Sequence, residues 1–350
     1  MLSVLFIQLI RKLMFRKKKT PAVTSYTSNP ALKTVATDWK GTPLDQDGLF
    51  MNPEFPTILS FRQIVKYLIT RNPQRSVKKH DTWRIPVLKN DAWLNDPGDQ
   101  IVWLGHASFF IQLAGIRILI DPMFGRLAVG KRYSELPVDP QKLLNIDYIL
   151  ISHAHYDHCD KKSIKLLAEN NPKAEILCGL NLHTLISKWA GNAIQTAGWY
   201  QQYQTKAGLS ITFVPSRHWA NRSMFDVNTT LWGGFVIQGR NKSIYFSGDS
   251  GFGSHFKEIG HHFPGIDVAL IGAGAYAPVW FMGQHHQDPY KALEAFDAMG
   301  AKTFIPFHYG TFDSADEPMG EPELILNKLR EEGKIRNTLK ILMPGETFQI

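Results

Sequence analysis

Cysteine is nearly absent. Cys159 and Cys178 are the only two in 350 residues, so no disulfide framework can staple this fold. That scarcity fits a reducing compartment. Cys159 lies inside a histidine-rich segment and is expected to be a packed thiol, not a ligand. No apolar run reaches transmembrane length, and there is no low-complexity tract or solenoid repeat. Nothing reads as a dinucleotide or phosphate loop, which removes the common nucleotide-dependent classes. What remains, 44% hydrophobic and 20% charged residues, is a globular composition able to bury a large core.

Acidic residues are missing from the start of the chain. The net charge is +8, and Arg11, Lys12, Arg16, Lys17, Lys18 and Lys19 supply six positive charges before the first carboxylate. The rest of the chain carries only +2, so the basicity is terminal, not spread over a groove, and no nucleic-acid partner is expected. Leu2, Leu5, Phe6, Leu9, Ile10 and Leu13 recur at helical spacing just ahead of that cluster. An apolar stripe beside cations suits an interfacial helix on anionic lipid. A secretory signal has its charges before the apolar region, the reverse order. Residues 1–20 are therefore expected to hold a cytoplasmic protein peripherally on a membrane. Residues 21–95 read as an irregular, polar extension with one helix, Phe61 to Thr70, and residues 96–350 as the catalytic domain.

What the chain has in concentration is histidine and aspartate at one place. The strand-like run Asp147 to Ile151 leads into Ser152-His153-Ala-His155-Tyr-Asp157-His158-Cys-Asp160. His153 and His155 are two residues apart, so at an extended strand end they project to the same side. Asp157 and His158 follow in the turn before the next helix, for which Asp160 is the natural N-cap. Imidazole with carboxylate suits zinc, and iron or manganese as well. Three further strands end in candidate ligands: residues 209–216 before His218, residues 242–247 before Asp249, and residues 302–307 before His308. Loops at strand ends are where a rigid sheet presents chemistry.

Other strands are expected at Ile101–Leu104, Ser108–Leu113, Ile116–Ile120, Glu175–Cys178 and near 231–238 and 267–271. Helices are expected at Lys161–Glu169, Asn181–Trp189, Pro289–Met299 and Glu321–Glu331. Such alternation argues for an α/β protein with sheets covered by helices.

The pattern His153-x-His155-x-Asp157-His158, then His218, Asp249 and His308, resembles the metallo-β-lactamase fold superfamily over roughly residues 100–350. The resemblance implies a four-layer αββα fold, two mixed sheets face to face between helical layers. It implies one zinc on His153, His155 and His218, a second on Asp157, His158 and His308, and Asp249 bridging both. The bridging aspartate argues against antibiotic hydrolysis. Flanking motifs resemble, more narrowly, the N-acyl-phosphatidylethanolamine-hydrolysing phospholipase D family. They are Val102-Trp-Leu-Gly-His106-Ala-Ser-Phe, Ile118-Leu-Ile-Asp121-Pro-Met-Phe, Ile271 to Met282, His286-x-x-Pro289, His308-Tyr-Gly-Thr-Phe312 with Glu317-Pro318, and Pro344-Gly-Glu346-Thr. Two departures concern the substrate: Val279 replaces an arginine before Trp280, and Tyr290-Lys291 replaces an acidic pair.

The resemblance implies a binuclear zinc phosphodiesterase acting on N-acylated phospholipid, its two ions lowering the pKa of a shared water towards neutrality. Asp157 and Asp249 would hold the metals and orient that nucleophile. His286, with His285 as its adjacent competitor, would polarise the substrate. His106 and Asp121 are expected to orient ligand side chains. Tyr276, Trp280, Phe281, Met282 and His285 are expected to line the substrate mouth. Alternatives are a lactonase or small phosphoester hydrolase on soluble substrate, and a non-catalytic membrane-associated metal-binding protein. A homodimer is left open.

Overall fold

The computed structural model describes residues 22–56, 61–127, 131–223 and 225–350. The expected interfacial segment, residues 1–20, lies outside the described residues. Strands run β1 (Ser25–Thr27), β2 (Lys33–Thr34), β3 (Thr42–Leu44), β4 (Gln100–Gly105), β5 (Ser108–Leu113), β6 (Ile116–Ile120), β7 (Tyr148–Ile151), β8 (Glu175–Gly179) and β9 (Ile194–Ala197). They continue as β10 (Gln201–Gln202), β11 (Leu209–Val214), β12 (Gly234–Gly239), β13 (Lys242–Phe246), β14 (Val268–Gly272), β15 (Thr303–Phe307), β16 (Thr338–Leu339) and β17 (Thr347–Gln349). The helices are α1 (Phe61–Ile69), α2 (Arg75–His80), α3 (Lys161–Asn170), α4 (His183–Ile186), α5 (His255–His262), α6 (Val279–Met282), α7 (Pro289–Met299) and α8 (Glu321–Glu331).

Two large mixed sheets form the centre, in the orders β17-β4-β5-β6-β7-β8-β9 and β16-β15-β14-β13-β12-β11-β10-β2. Each is antiparallel on one side and parallel on the other, the change falling at β6/β7 in the first and β13/β14 in the second. Turn chemistry pins the antiparallel registers. Ala114-Gly115 joins β5 to β6 and Arg240-Asn241 joins β12 to β13, all four residues with positive φ, the geometry of tight two-residue hairpins. The parallel strands are buried along nearly their whole length, as strands covered on both faces must be. The inner faces meet through Phe109 of β5, whose ring centroid lies 6.1 Å from Phe246 and 5.6 Å from Phe307.

Helices cover the outer faces. On α3, Ile164 and Leu167 are buried, and Asp160 caps the helix by accepting from Ser163 N at 2.9 Å. α7 packs on β14 and β15 with α5 and α8 beside it. It starts at Asp288 with Pro289 in its first turn and stops at Gly300 with φ +72°. The expected helix Asn181–Trp189 is only the four residues of α4, and a turn at Asn181 with φ +68° precedes it.

Residues 22–95 are more structured than their polar composition suggests, holding three short strands and two helices. Short strands leave too little sequence for a period to register. β2 adds to the edge of the second sheet through β10. Ile85 lies under Gly310, Trp83 under Gly320, and Trp93 packs on Phe110 at 4.8 Å.

Candidate metal centre

The site lies along the seam where both sheets end. His153 leaves β7, Asp121 leaves β6 and His106 sits in the turn between β4 and β5. From the opposing sheet come His218 after β11, Asp249 after β13 and His308 after β15. Carboxyl ends of strands are where open sheets place their ligands. The backbone there is tightly bent: His106, Asp121 and His308 hold left-handed φ of +52°, +41° and +73°. Each such residue costs free energy that the surrounding fold must supply, a pattern concentrated at functional sites. Gly248, before Asp249, has φ +57°, and a Cβ there would stand 2.6 Å from the Gly233 carbonyl oxygen.

All seven expected ligands converge. His153 Nε2 and His218 Nε2 lie 2.9 and 3.1 Å from His155 Nδ1. His106, Asp157, His158 and His308 form a neighbouring group of four. Asp249 stands between the groups. Its Oδ2 is 3.1 Å from His158 Nε2, 3.8 Å from His218 Nε2 and 3.9 Å from His153 Nε2, and its Oδ1 is 3.1 Å from His308 Nε2.

The donor set fits divalent cations. Tetrahedral zinc with nitrogen ligands at 2.0–2.1 Å puts neighbouring donors about 3.3 Å apart, close to the spacing of the first triad. The buried atoms His155 Nε2, His158 Nε2, His308 Nε2 and Asp249 Oδ1 make no well-aligned hydrogen bond, although Asp249 oxygens stand 3.1 Å from two of these nitrogens. Burial without a partner is costly, and three of these four atoms face the cluster that a cation would satisfy. The electrostatics agree. Burial favours neutral His158, yet Asp249, Asp157 and Asp121 raise its pKa well above the ordinary value. Burial opposes ionised Asp157 and Asp249, yet the imidazoles around them, His158 foremost, hold both well below the usual carboxylate range. The carboxylates thus retain a positive charge in the pocket even without a metal.

Asp121 and His106 both lie against candidate ligands. Asp121, fully buried, accepts from His158 Nδ1 at 2.8 Å, and Ser152 donates to it through both N and Oγ. Ser152 Oγ also lies 2.9 Å from His153 Nδ1, so one carboxylate orients imidazoles of both groups. His106 Nε2 is 2.9 Å from Asp157 Oδ2, and burial pushes its pKa down to about 4. Of the adjacent pair, His286 points at the cluster: its Nδ1 is 3.8 Å from Asp249 Oδ2, and it groups with His218 and Asp249. Burial lowers its pKa to about 4. The His285 ring instead lines a cleft beside His218, while its backbone carbonyl is 3.0 Å from His218 Nδ1. Cys159 is a buried free thiol whose pKa burial pushes up to about 12.

Tyr276 is not part of a mouth. It is buried, and its hydroxyl donates to Glu321 Oε1 at 2.5 Å while its backbone N–H reaches Glu317. A buried phenol needs a partner, and α8 supplies it from far along the sequence. Trp280, Phe281 and Met282 do sit near the surface, on α6 and not on an open loop. Phe281 stacks on Tyr67 of α1 at 4.6 Å, and Lys66 Nζ lies 4.3 Å from the Trp280 ring. The Met282 carbonyl accepts from the backbone N–H groups of both His285 and His286, tying α6 to the site.

Sequence reading missed three contributors. Ser152 carried no pattern of its own. Arg222 donates to the carbonyls of Ala154 and Cys159 and lies 3.7 Å over the Tyr156 ring, pinning the ligand loop from more than sixty residues away. His255 lies 3.0 Å from Ser250 Oγ, which accepts from Arg217 N and so links two ligand loops.

A model of the β-lactamase superfamily domain matches residues 116–309. An N-acyl-phosphatidylethanolamine-hydrolyzing phospholipase D 1 of Caenorhabditis elegans is 33% identical over 272 residues, 71% of this chain and 74% of the relative. A metal-dependent hydrolase of Archaeoglobus fulgidus is 28% identical over 71% of this chain and 98% of its own length. The solved metallo hydrolase of Ignicoccus hospitalis superposes with a TM-score of 0.55 at 22% identity, covering 72% of this chain and 99% of that one. The protein is a metal-dependent hydrolase with the metallo-β-lactamase fold. Within that superfamily, it belongs to the family of the N-acyl-phosphatidylethanolamine-hydrolysing phospholipases D.

Proposed function

We propose that this chain is a binuclear zinc phosphodiesterase of the phospholipase D type that hydrolyses N-acylated phospholipids at a membrane surface. The observation that carries the reading is the pair of donor groups with the Asp249 carboxylate between them, 3.1 Å from His158 on one oxygen and 3.1 Å from His308 on the other. His153, His155 and His218 would hold one ion, Asp157, His158 and His308 the second, and Asp249 both. When bound, such ions supply Lewis acidity and a water acidified towards neutral pH.

The chain's own residues do the rest. Asp121 and Ser152 fix the imidazoles, and His106 fixes Asp157. His286, neutral near pH 7, can donate a hydrogen bond to a phosphoryl oxygen or to the leaving oxygen. In the reaction a water oxygen bonds to phosphorus and the bond from phosphorus to the headgroup oxygen breaks. The products are phosphatidic acid and an N-acylated amino alcohol, which takes a proton.

Two features support a membrane substrate. The C. elegans relative is named for hydrolysis of such a lipid. Residues 55–80 also carry Arg62, Lys66, Arg71, Arg75, Lys78 and Lys79 and no acidic residue. That basic stretch includes α1 and α2, with Ile69 77% exposed and Val279 of neighbouring α6 59% exposed, next to the loop bearing His286. Cations beside exposed apolar side chains suit an anionic lipid surface. Among the described residues no helix is long and apolar enough to cross a membrane.

The test is to assay metal-loaded protein on vesicles of N-acyl-phosphatidylethanolamine, on soluble lactones and on small phosphodiesters. Release of the N-acylated alcohol supports the reading. Efficient lactone turnover with intact lipid overturns it in favour of a soluble-substrate hydrolase.

A further inference from the structure

A cleft of about 180 Å³ opens beside the metal centre, lined by Phe55, Pro56, Arg217, His218, Gln284 and His285. One wall is thus a residue of the first ligand triad, so the cleft adjoins the candidate metal centre. The cation in it is rigidly held. Arg217 Nη1 donates to the Phe252 carbonyl at 2.6 Å, and the Phe55 ring lies 3.7 Å from its Cζ. Its Nε is buried without a hydrogen-bond partner, and no carboxylate among the described residues forms an ion pair with it. The nearest acidic influence, Glu54, is engaged by the Ser254 hydroxyl.

Half-buried, this guanidinium has one hydrogen bond, to the Phe252 carbonyl, and no ion pair among the described residues, so the hydration it gives up is only partly restored. An anionic ligand would restore it, and the planar fork matches a carboxylate best through paired hydrogen bonds. On the phosphodiesterase reading, which this inference deepens, the phosphoryl group occupies the metal centre and the headgroup extends into the cleft. An ethanolamide headgroup brings no charge to Arg217. A headgroup with a carboxylate on the carbon next to nitrogen does.

We propose that Arg217 makes this enzyme selective for N-acylated phosphodiesters whose headgroup carries a carboxylate, the serine type over the ethanolamine type. Arg217 is a specificity-determining residue, reading the substrate beyond the reacting atoms.

The test compares N-acyl-phosphatidylserine with N-acyl-phosphatidylethanolamine in otherwise identical vesicles, using the full metal-loaded chain, Arg217→Gln and Arg217→Lys. The wild type should favour the serine lipid in kcat/KM by about ten-fold or more, the scale set by a buried polar group that finds or loses its partner. Arg217→Gln should bring the ratio near one, and Arg217→Lys, which keeps the charge and guards against misfolding, should retain part of it. A parallel calorimetric titration with glycerophosphoserine and glycerophosphoethanolamine should give the same order without turnover. A wild-type ratio near one overturns the proposal. So does an Arg217→Gln variant that slows both lipids equally, because Arg217 would then serve the scissile phosphate. If neither lipid is cleaved but glycerophosphoserine binds better and in an Arg217-dependent way, the phospholipase reading fails and the selectivity stands.

Discussion

Asp121 Oδ2 lies 2.8 Å from His158 Nδ1, both side chains fully buried, which commits His158 Nε2 to face Asp249 and the metal centre. The same carboxylate takes the Ser152 hydroxyl and through it steadies His153. Asp121→Asn keeps the shape and tolerates the left-handed backbone, yet removes the charge. Metal affinity should fall by about 10–100-fold, the usual cost of losing such an orienting partner. Competition with a chromophoric chelator measures it, and unchanged affinity would refute the role.

On the binuclear reading proposed above, the two donor groups would hold two metal ions per chain. Protein purified without chelator should give close to two equivalents of metal by elemental analysis. Asp249→Asn should lose most turnover, by roughly 10²-fold or more, because one carboxylate serves both groups. Full activity at a reproducible stoichiometry of one would end the binuclear reading.

How much of this was legible in the sequence depends on separation along the chain. His153, His155, Asp157 and His158 are adjacent, so one strand end fixes their geometry and the spacing already shows it. His218, Asp249 and His308 each follow a short apolar strand, which makes them visible as a set. Arg222 acts on the loop after β7, and Ser250, with His255 behind it, acts on the loop after β11; these contacts exist only in the folded sheets, and no local period announces them. Tyr276 misled for the same reason. It looks like part of an apolar run with Trp280 and Phe281 until α8 brings Glu321 to its hydroxyl. The basic stretch of residues 55–80 is invisible in the charge total, because acids elsewhere offset it.

His286 and His285 should separate in kinetics. His286 faces Asp249, whereas the His285 ring faces the cleft. His286→Ala should lower kcat by about 10²-fold, as expected for loss of one positioned donor. His285→Ala should chiefly change KM. Loss of kcat in His285→Ala with His286→Ala unaffected would reverse the assignment.

Acid should destabilise the metal-free protein in part through His255. Its ring is buried and its pKa is lowered to about 3 by burial, with Arg217 adding to the effect. Unfolded, the same group titrates near the ordinary histidine value of about 6.5. Between these values the unfolded chain binds the extra proton, so stability falls as pH drops below about 6.5 and the loss saturates near the folded pKa. From pH 7 to pH 5 this one group should cost about 2 kcal/mol. Urea titrations of the apo wild type and His255→Gln at the two pH values would show it as a difference in slope. Parallel losses in the two proteins would remove His255 as a cause.

The proposed membrane attachment should depend on two cationic stretches, the sequence of residues 1–19 and the exposed side chains of Arg62, Arg71, Arg75 and Lys79 on and around α1 and α2. Each cation near an anionic bilayer adds about 1 kcal/mol, an attraction that salt weakens. The apolar residues of the first patch, from Leu2 to Leu13, can add burial worth roughly 1.5–3 kcal/mol each as an upper bound. Deleting residues 2–19 should therefore weaken co-sedimentation with anionic vesicles strongly. Changing Arg62, Arg71, Arg75 and Lys79 to Gln in the truncated chain should remove what remains. Because no ligand residue lies in either patch, turnover of a short soluble substrate analogue should persist in both variants. The second patch adjoins α6 and the His286 loop, so its loss should also lower turnover on vesicles more than the loss in bound protein explains. If the doubly altered chain sediments as well as the full one, neither patch is the attachment surface.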